Sequence, residues 1–155
     1  MKRILLMIAI VFSVFACKYG KDDFTKRVEQ YFLKENVEFA PTIKRILIIP
    51  GGGCPGCIAS GIEFAKRNKE FFSKGQGQNL VIFTGIVSKK ILYRRVNEED
   101  LLQMNAMVDT ANLYLVDFEA YEYPMILYMN NGEIVKAESQ SPESDALKNL
   151  DYELH

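Results

Sequence analysis

Apolar positions along this chain switch between helical spacing and unbroken runs, and the alternation predicts the order of elements. From Asp22 onward, Phe24, Val28, Tyr31 and Phe32 share one helical face, with Asp22 or Asp23 able to cap the first turn, so an amphipathic helix is expected there. Pro41 closes that region. Ile46-Leu47-Ile48-Ile49 is continuously apolar and ends at Pro50 and three glycines, which is the pattern of a central strand buried on both faces. Helical spacing returns after Cys54: Ile58, Ile62, Ala65 and Phe72 form a stripe with Phe64 and Phe71 beside it, and Gly75-Gln76-Gly77 reads as its end. Leu80-Val81-Ile82-Phe83 is a second strand-like run, and Ser88 and Asn97 are placed to cap two short helical pieces ending near Met104.

Residues 105 to 122 support two readings. Ala106-Met107-Val108 and Leu113-Tyr114-Leu115-Val116 each suit a strand, or one of them is a loop. Beyond them, Met125 to Met129, then Asn130-Asn131-Gly132, then Glu133 to Lys136 read as a hairpin, because Asn-Gly tolerates a tight turn with positive φ. Pro142 through Leu150 reads as a final helix with Ser141 as a cap and with Ala146, Leu147 and Leu150 toward the sheet. Helical and strand patterns in this order predict an α/β fold of three layers, α/β/α, with a mixed central sheet and an extra N-terminal helix. No internal repeat or low-complexity block interrupts it.

The first residues carry a different signal. Lys2 and Arg3 begin it, Ile4 to Phe15 are almost wholly apolar, and Val14-Phe15-Ala16 precedes Cys17. The stretch is too short and wrongly flanked for a membrane span. A small residue directly before a cysteine is what lipoprotein processing requires, because that sulfur receives the diacylglyceryl group. Residues 1–16 are therefore expected to be a lipoprotein signal peptide, Cys17 the lipidated residue, 17–23 a polar tether and 24–155 one domain. Phe15 departs from the lipoprotein pattern, which favours a small residue there. An ordinary secretory signal and an uncleaved anchor are the alternatives, and each sends the chain out of the cytoplasm. The expected location is the bacterial cell envelope, periplasm-facing or on the outer-membrane surface. Lys21-Asp22-Asp23 resembles the surface-export signal of some Bacteroidetes lipoproteins, although a solvated tether is the plainer reading.

Nineteen basic against twenty acidic side chains leave a formal charge of −1. Neither a footprint for nucleic acid nor a polybasic face for anionic lipid is implied, so membrane attachment rests on Cys17 alone. The 3 cysteines divide into that lipidation candidate and the Cys54-Pro55-Gly56-Cys57 pair, leaving none for a structural framework. A disulfide closing so short a loop constrains little of the unfolded chain, which favours a redox role.

Strand, glycine turn, Cys-Pro-Gly-Cys and helix, in that order, put Cys54 at a helix N-terminus. There, free amides and the helix dipole favour the thiolate, which is the reactive form. Cys57, one turn further in, is placed as the resolving thiol that displaces product from a mixed disulfide. Gly53, Pro55 and Gly56 make up the rest of the active-site loop.

This constellation resembles the thioredoxin superfamily, and in particular its lipoprotein members in Bacteroidetes, over about residues 43 to 138. The features that carry the resemblance are Ile46 to Ile49 leading into Cys54-Pro55-Gly56-Cys57, and Tyr123-Pro124 opening the strand before Asn131-Gly132. It implies a thioredoxin-like fold and a cis proline at Pro124 beside the cysteines. It also implies that Tyr123 offers backbone groups to an extended substrate. Three departures stand beside it. Gly53 replaces the tryptophan of thioredoxins, and the chain has no tryptophan. The buried acid that assists proton transfer falls at Ile48, so the relay is missing unless Glu63 or another carboxylate serves. The dipeptide is Pro-Gly rather than Gly-Pro, which leaves the redox potential open.

A zinc site at the pair would need four ligands, and the single histidine is His155, so neither a metal nor another cofactor is expected. Glu63, Lys66 and Arg67 read as a solvated helical face, and Tyr121 and Tyr123 either line a substrate groove or are half-buried strand aromatics. The resulting expectation is an envelope thiol-disulfide oxidoreductase. Cys54 would be its nucleophile, Cys57 its resolver, and envelope proteins with cysteines or disulfides its partners, with electrons drawn from a membrane donor. The alternative is a non-catalytic binding lipoprotein on the same scaffold with an inert Cys54–Cys57 disulfide.

Overall fold

The structure is a computed structural model that describes residues 21–75, 77–116 and 122–154. The expected signal peptide, the lipidation site Cys17, most of the tether, Tyr121 and His155 lie outside the described residues.

Helix α1 spans Asp23–Lys34, and its N-cap Asp22 accepts the Thr25 amide at 2.7 Å, as the sequence predicts. Strand β1 is Arg45–Pro50, helix α2 Pro55–Arg67 and strand β2 Asn79–Thr84. Helices α3, Lys89–Arg95, and α4, Glu98–Gln103, precede strand β3, Ala106–Val108. The hairpin pairs β4, Met125–Asn130, with β5, Glu133–Ser139, and α5, Ala146–Leu154, closes the chain. Sheet order is β3-β2-β1-β4-β5, with β1, β2 and β3 parallel, β4 antiparallel to β1 and β5 antiparallel to β4.

The apolar run of β1 is buried from Ile46 through Ile49, and its alternation divides the core. Leu47 and Ile49 pack with Ile58, Ile62 and Phe64 of α2 and with Leu147 and Leu150 of α5. Ile46 and Ile48 point the other way, into a cluster with Val28 and Phe32 of α1. The sheet is thus a middle layer between α1 and the remaining helices. The N-terminal helix is held there by a buried polar link: Thr25 Oγ1 donates to Asp22 at 2.9 Å and accepts the Ala137 amide of β5, also at 2.9 Å. Among the described residues no helix is long and apolar enough to cross a membrane.

The structure corrects several expected boundaries. Helix α2 ends at Arg67 rather than near Gly75, because Asn68 turns both its amide and its Nδ2 onto the Phe64 carbonyl, at 3.0 and 3.1 Å, and closes the last turn. Phe72 still reaches the core, from a turn, with Phe71 edge-on to it at 5.0 Å. Helix α5 starts at Ala146 rather than Pro142, since Ser141 closes a turn through Ser144 and Gln140 Oε1 takes the Leu147 amide at 2.9 Å. Of the two ambiguous segments, Ala106–Val108 pairs with Val81–Phe83, whereas Leu113–Val116 is a loop. That loop is fixed by buried Asp109, which accepts from Thr84 Oγ1 and from the Tyr114 amide, each at 2.8 Å. The hairpin turns on Asn131 and Gly132, with φ of 50° and 83°, as type I′ requires.

Candidate redox site

The two cysteines sit where β1 ends and α2 begins, with the first residues of β4 alongside because that strand runs antiparallel to β1. Pro55 occupies the first helical position, where a missing amide costs nothing, so the helix starts at the motif itself. Cys54 is the N-cap. Its Sγ accepts the Cys57 amide at 3.3 Å, and its carbonyl accepts the Ile58 amide at 3.0 Å. A serine or aspartate at an N-cap makes the same bond through oxygen. Here the acceptor is sulfur, and an anionic sulfur accepts better.

The two thiols are unequal. Cys54 is part-exposed and Cys57 buried, and both are free thiols in the structure. Hydrogen bonds from the Cys57 thiol and amide hold the Cys54 pKa below its ordinary value, against some desolvation and the Glu122 charge. Burial, then the hydrogen bond to Cys54, pushes Cys57 up to about 11. One sulfur is therefore disposed to ionise at the surface while its mate stays protonated beneath it, the division of labour that dithiol exchange needs.

Gly53 has a φ of 105°, and a Cβ on it would overlap the Glu122 backbone. The carbonyl of Glu122 accepts the Cys54 amide at 2.9 Å. Gly53 thus admits another stretch of main chain directly against the cysteine loop. Gly61 does the same one helical face further on, where a Cβ would meet the Pro124 ring at 3.0 Å. Sequence reasoning placed neither Glu122 nor Gly61 at the site. A glycine inside a helix costs about 1 kcal/mol relative to alanine, so Gly61 itself was the available sign of a close approach.

Pro124 is buried, and its carbonyl accepts the Gln140 amide at 2.8 Å. The Tyr123–Pro124 bond is trans, which corrects the cis bond implied by the thioredoxin resemblance. With its ring on Gly61 and its carbonyl on Gln140 just past β5, Pro124 is anchored from both sides in the isomer that X-Pro bonds ordinarily prefer by about 0.5–1 kcal/mol. Tyr123 is part-exposed, and its main-chain amide and carbonyl meet no partner among the described residues. Its phenol is held above the ordinary value by burial first, then by the charges of Glu122 and Cys54.

Ile48, where the thioredoxin resemblance would put a buried acid, is 3% exposed and packed among apolar side chains. Glu63 is exposed and ion-paired to Lys66 at 3.4 Å, a solvated helical face as its spacing predicts, while Arg67 reaches Asp151 at 3.5 Å. The carboxylate whose charge acts on Cys54 is Glu122. Among the described residues no group of three or more His, Cys, Asp or Glu side chains is gathered to hold a metal. No family model matches the chain, and no curated protein or solved structure is significantly similar to it.

Proposed function

We propose that this chain is a thioredoxin-type thiol-disulfide oxidoreductase of the bacterial envelope, anchored through lipid on Cys17 and acting on disulfides of other envelope proteins. The observation that carries the reading is the asymmetry of the pair, a surface thiol stabilised as its anion over a buried thiol kept protonated. The Cys54 thiolate attacks one sulfur of a substrate disulfide, forming a Cys54–substrate bond as the other substrate sulfur leaves as a thiolate. Cys57 then passes its proton to the departed substrate thiolate and attacks the Cys54 sulfur. The Cys54–Cys57 disulfide forms and the second substrate thiolate departs. Two electrons pass from the pair to the substrate, and a membrane dithiol donor would restore the reduced pair. The unpaired main-chain groups of Tyr123, next to the thiols, suit an extended substrate strand. Exchange with hydroxyethyl disulfide, compared between the native chain and Cys54→Ser, tests the reading; unchanged exchange in the variant refutes it.

A non-catalytic binding module with a permanent Cys54–Cys57 bond is the second reading, favoured by the trans Tyr123–Pro124 bond and by apolar Ile48 where the family carries an acid. The reduction potential of the pair separates the two. A value below about −300 mV belongs to a structural disulfide, and a higher one to an exchanging pair.

A further inference from the structure

Helix α3 reads Lys-Lys-Ile-Leu-Tyr-Arg-Arg and holds four basic side chains with no acidic one, in a chain of net charge −1. Lys89, Lys90, Arg94 and Arg95 are all exposed, and none takes part in an ion pair among the described residues. Lys21, Lys26, Arg45, Lys66, Arg67 and Lys136 each reach a carboxylate within 3.5 Å, whereas Lys34, Lys44, Lys69, Lys74 and Lys148 do not among the described residues; what sets α3 apart is that its unpaired cations share one short helix. Glu98, Glu99 and Asp100 open the next helix, but none of them pairs with these cations, and four unpaired cations on one helix invite an acidic partner.

Below the cluster, between α3 and α2, lies an apolar cleft of about 180 Å³ with Ile58, Ile62 and Leu92 among its lining and Arg95 at its rim. A cavity of roughly 150 Å³ is enough to hold benzene, so the cleft has room for one large apolar side chain. Val87 and Ile91, 97% and 52% exposed, border it. Ile62 and Arg95 also line a second cleft with Pro55, Ala59 and Glu63, so the two clefts adjoin and together span from the cysteine loop to the basic helix.

Resting on the redox reading above, we propose that α3 and this groove dock the cysteine-bearing segment of the substrate, and select segments in which an apolar side chain stands beside acidic residues. The apolar side chain enters the cleft, the carboxylates meet Lys89, Lys90, Arg94 and Arg95, and the groove leads the segment's sulfur toward Cys54. A bilayer suits the surface less well, because the apolar element is concave and the basic helix has only 7 residues.

The test is fluorescence anisotropy with two labelled peptides in which serine replaces the cysteine, one pairing leucine with aspartates and the other pairing leucine with lysines. The native protein is expected to bind the acidic peptide about tenfold more tightly, with the preference shrinking as salt rises. The variant K89Q/K90Q/R94Q/R95Q is expected to lose that preference, and K26Q/K34Q, on α1 across the sheet, to keep it. Equal affinity for the two peptides overturns the proposal, as does a preference that survives neutralisation of α3. Loss of sedimentation with phosphatidylglycerol vesicles in the α3 variant, with no peptide preference in the native chain, assigns the surface to lipid and likewise overturns it. Because these peptides carry no sulfur, failure of the redox chemistry would appear only in the exchange assay and is distinguishable from failure of docking.

Discussion

The Cys54 amide donates to the carbonyl of Glu122 at 2.9 Å, so the loop ahead of the cysteine pair is tied to the residue two places before Pro124. The bond is possible because Gly53 has no side chain, and it brings the Glu122 carboxylate and the Tyr123 main chain to the edge of the thiol site. A residue that reads in sequence as a lost tryptophan is, in the fold, the opening through which the other half of the site arrives.

Gly53→Ala should therefore be costly and Gly52→Ala nearly silent. The first adds a Cβ at φ 105° against the Glu122 backbone, while a Cβ on Gly52 meets nothing within 4 Å. A loss of about 1–3 kcal/mol is expected for Gly53→Ala and under about 0.5 kcal/mol for Gly52→Ala. Urea midpoints at unchanged m-value measure the difference, and comparable losses in the two variants would contradict the contact.

Alkylation of the reduced protein should label Cys54 first, with a rate that rises with pH through a midpoint below the ordinary thiol value. Cys57 should stay protected until pH approaches about 11 or the fold opens. The signs for stability are opposite. A raised folded pKa means that Cys57 favours folding below the unfolded thiol's pKa, and that this is lost as pH climbs through about 11. A lowered folded pKa means that Cys54 favours folding above the unfolded value, and that this is lost as pH falls through its own. Glu122→Gln removes a charge that raises Cys54, so labelling at a fixed pH below that midpoint should quicken. Mass spectrometry of iodoacetamide adducts against pH reads all of these, and simultaneous labelling of both cysteines would refute the asymmetry.

Thr25→Val should unlatch the N-terminal helix. It keeps the shape of a buried side chain but leaves the Ala137 amide without its acceptor, at a cost of about 1–3 kcal/mol. Thr25→Ser retains the oxygen and should lose less than the valine variant. Chemical denaturation followed by circular dichroism ranks the two, and the reverse order would show that the buried hydrogen bond does not hold α1 to β5.

Much of this arrangement could be read from residue order. The unbroken run Ile46 to Ile49, the Asn131-Gly132 turn and the Asp22 cap are local signals, and each element formed where its signal stood. Helix ends were less legible, because Asn68 and Gln140 stop or start helices through side chains that find their partners only once the chain has turned. Within the site, the cysteine spacing gave the helix start and the order of exposure, since both follow from one helical turn. A glycine inside α2 marks that something comes close, but that Gly53 meets Glu122 and Gly61 meets Pro124 depends on β4 lying antiparallel to β1 from the far end of the chain, and no local pattern names those partners. The cis bond expected at Pro124 rests on a family pattern rather than on contacts of this chain, and the bond is trans.

The most direct test of the central claim is a trapping experiment with a peptide that contains one disulfide, analysed on non-reducing gels and by mass spectrometry. Cys57→Ser, which keeps the nucleophile and removes the resolver, should accumulate a covalent Cys54–peptide adduct, while the native chain turns over and Cys54→Ser forms none. If Cys57→Ser forms no adduct, or if Cys54→Ser traps the peptide equally well through Cys57, the assignment of the two sulfurs is wrong.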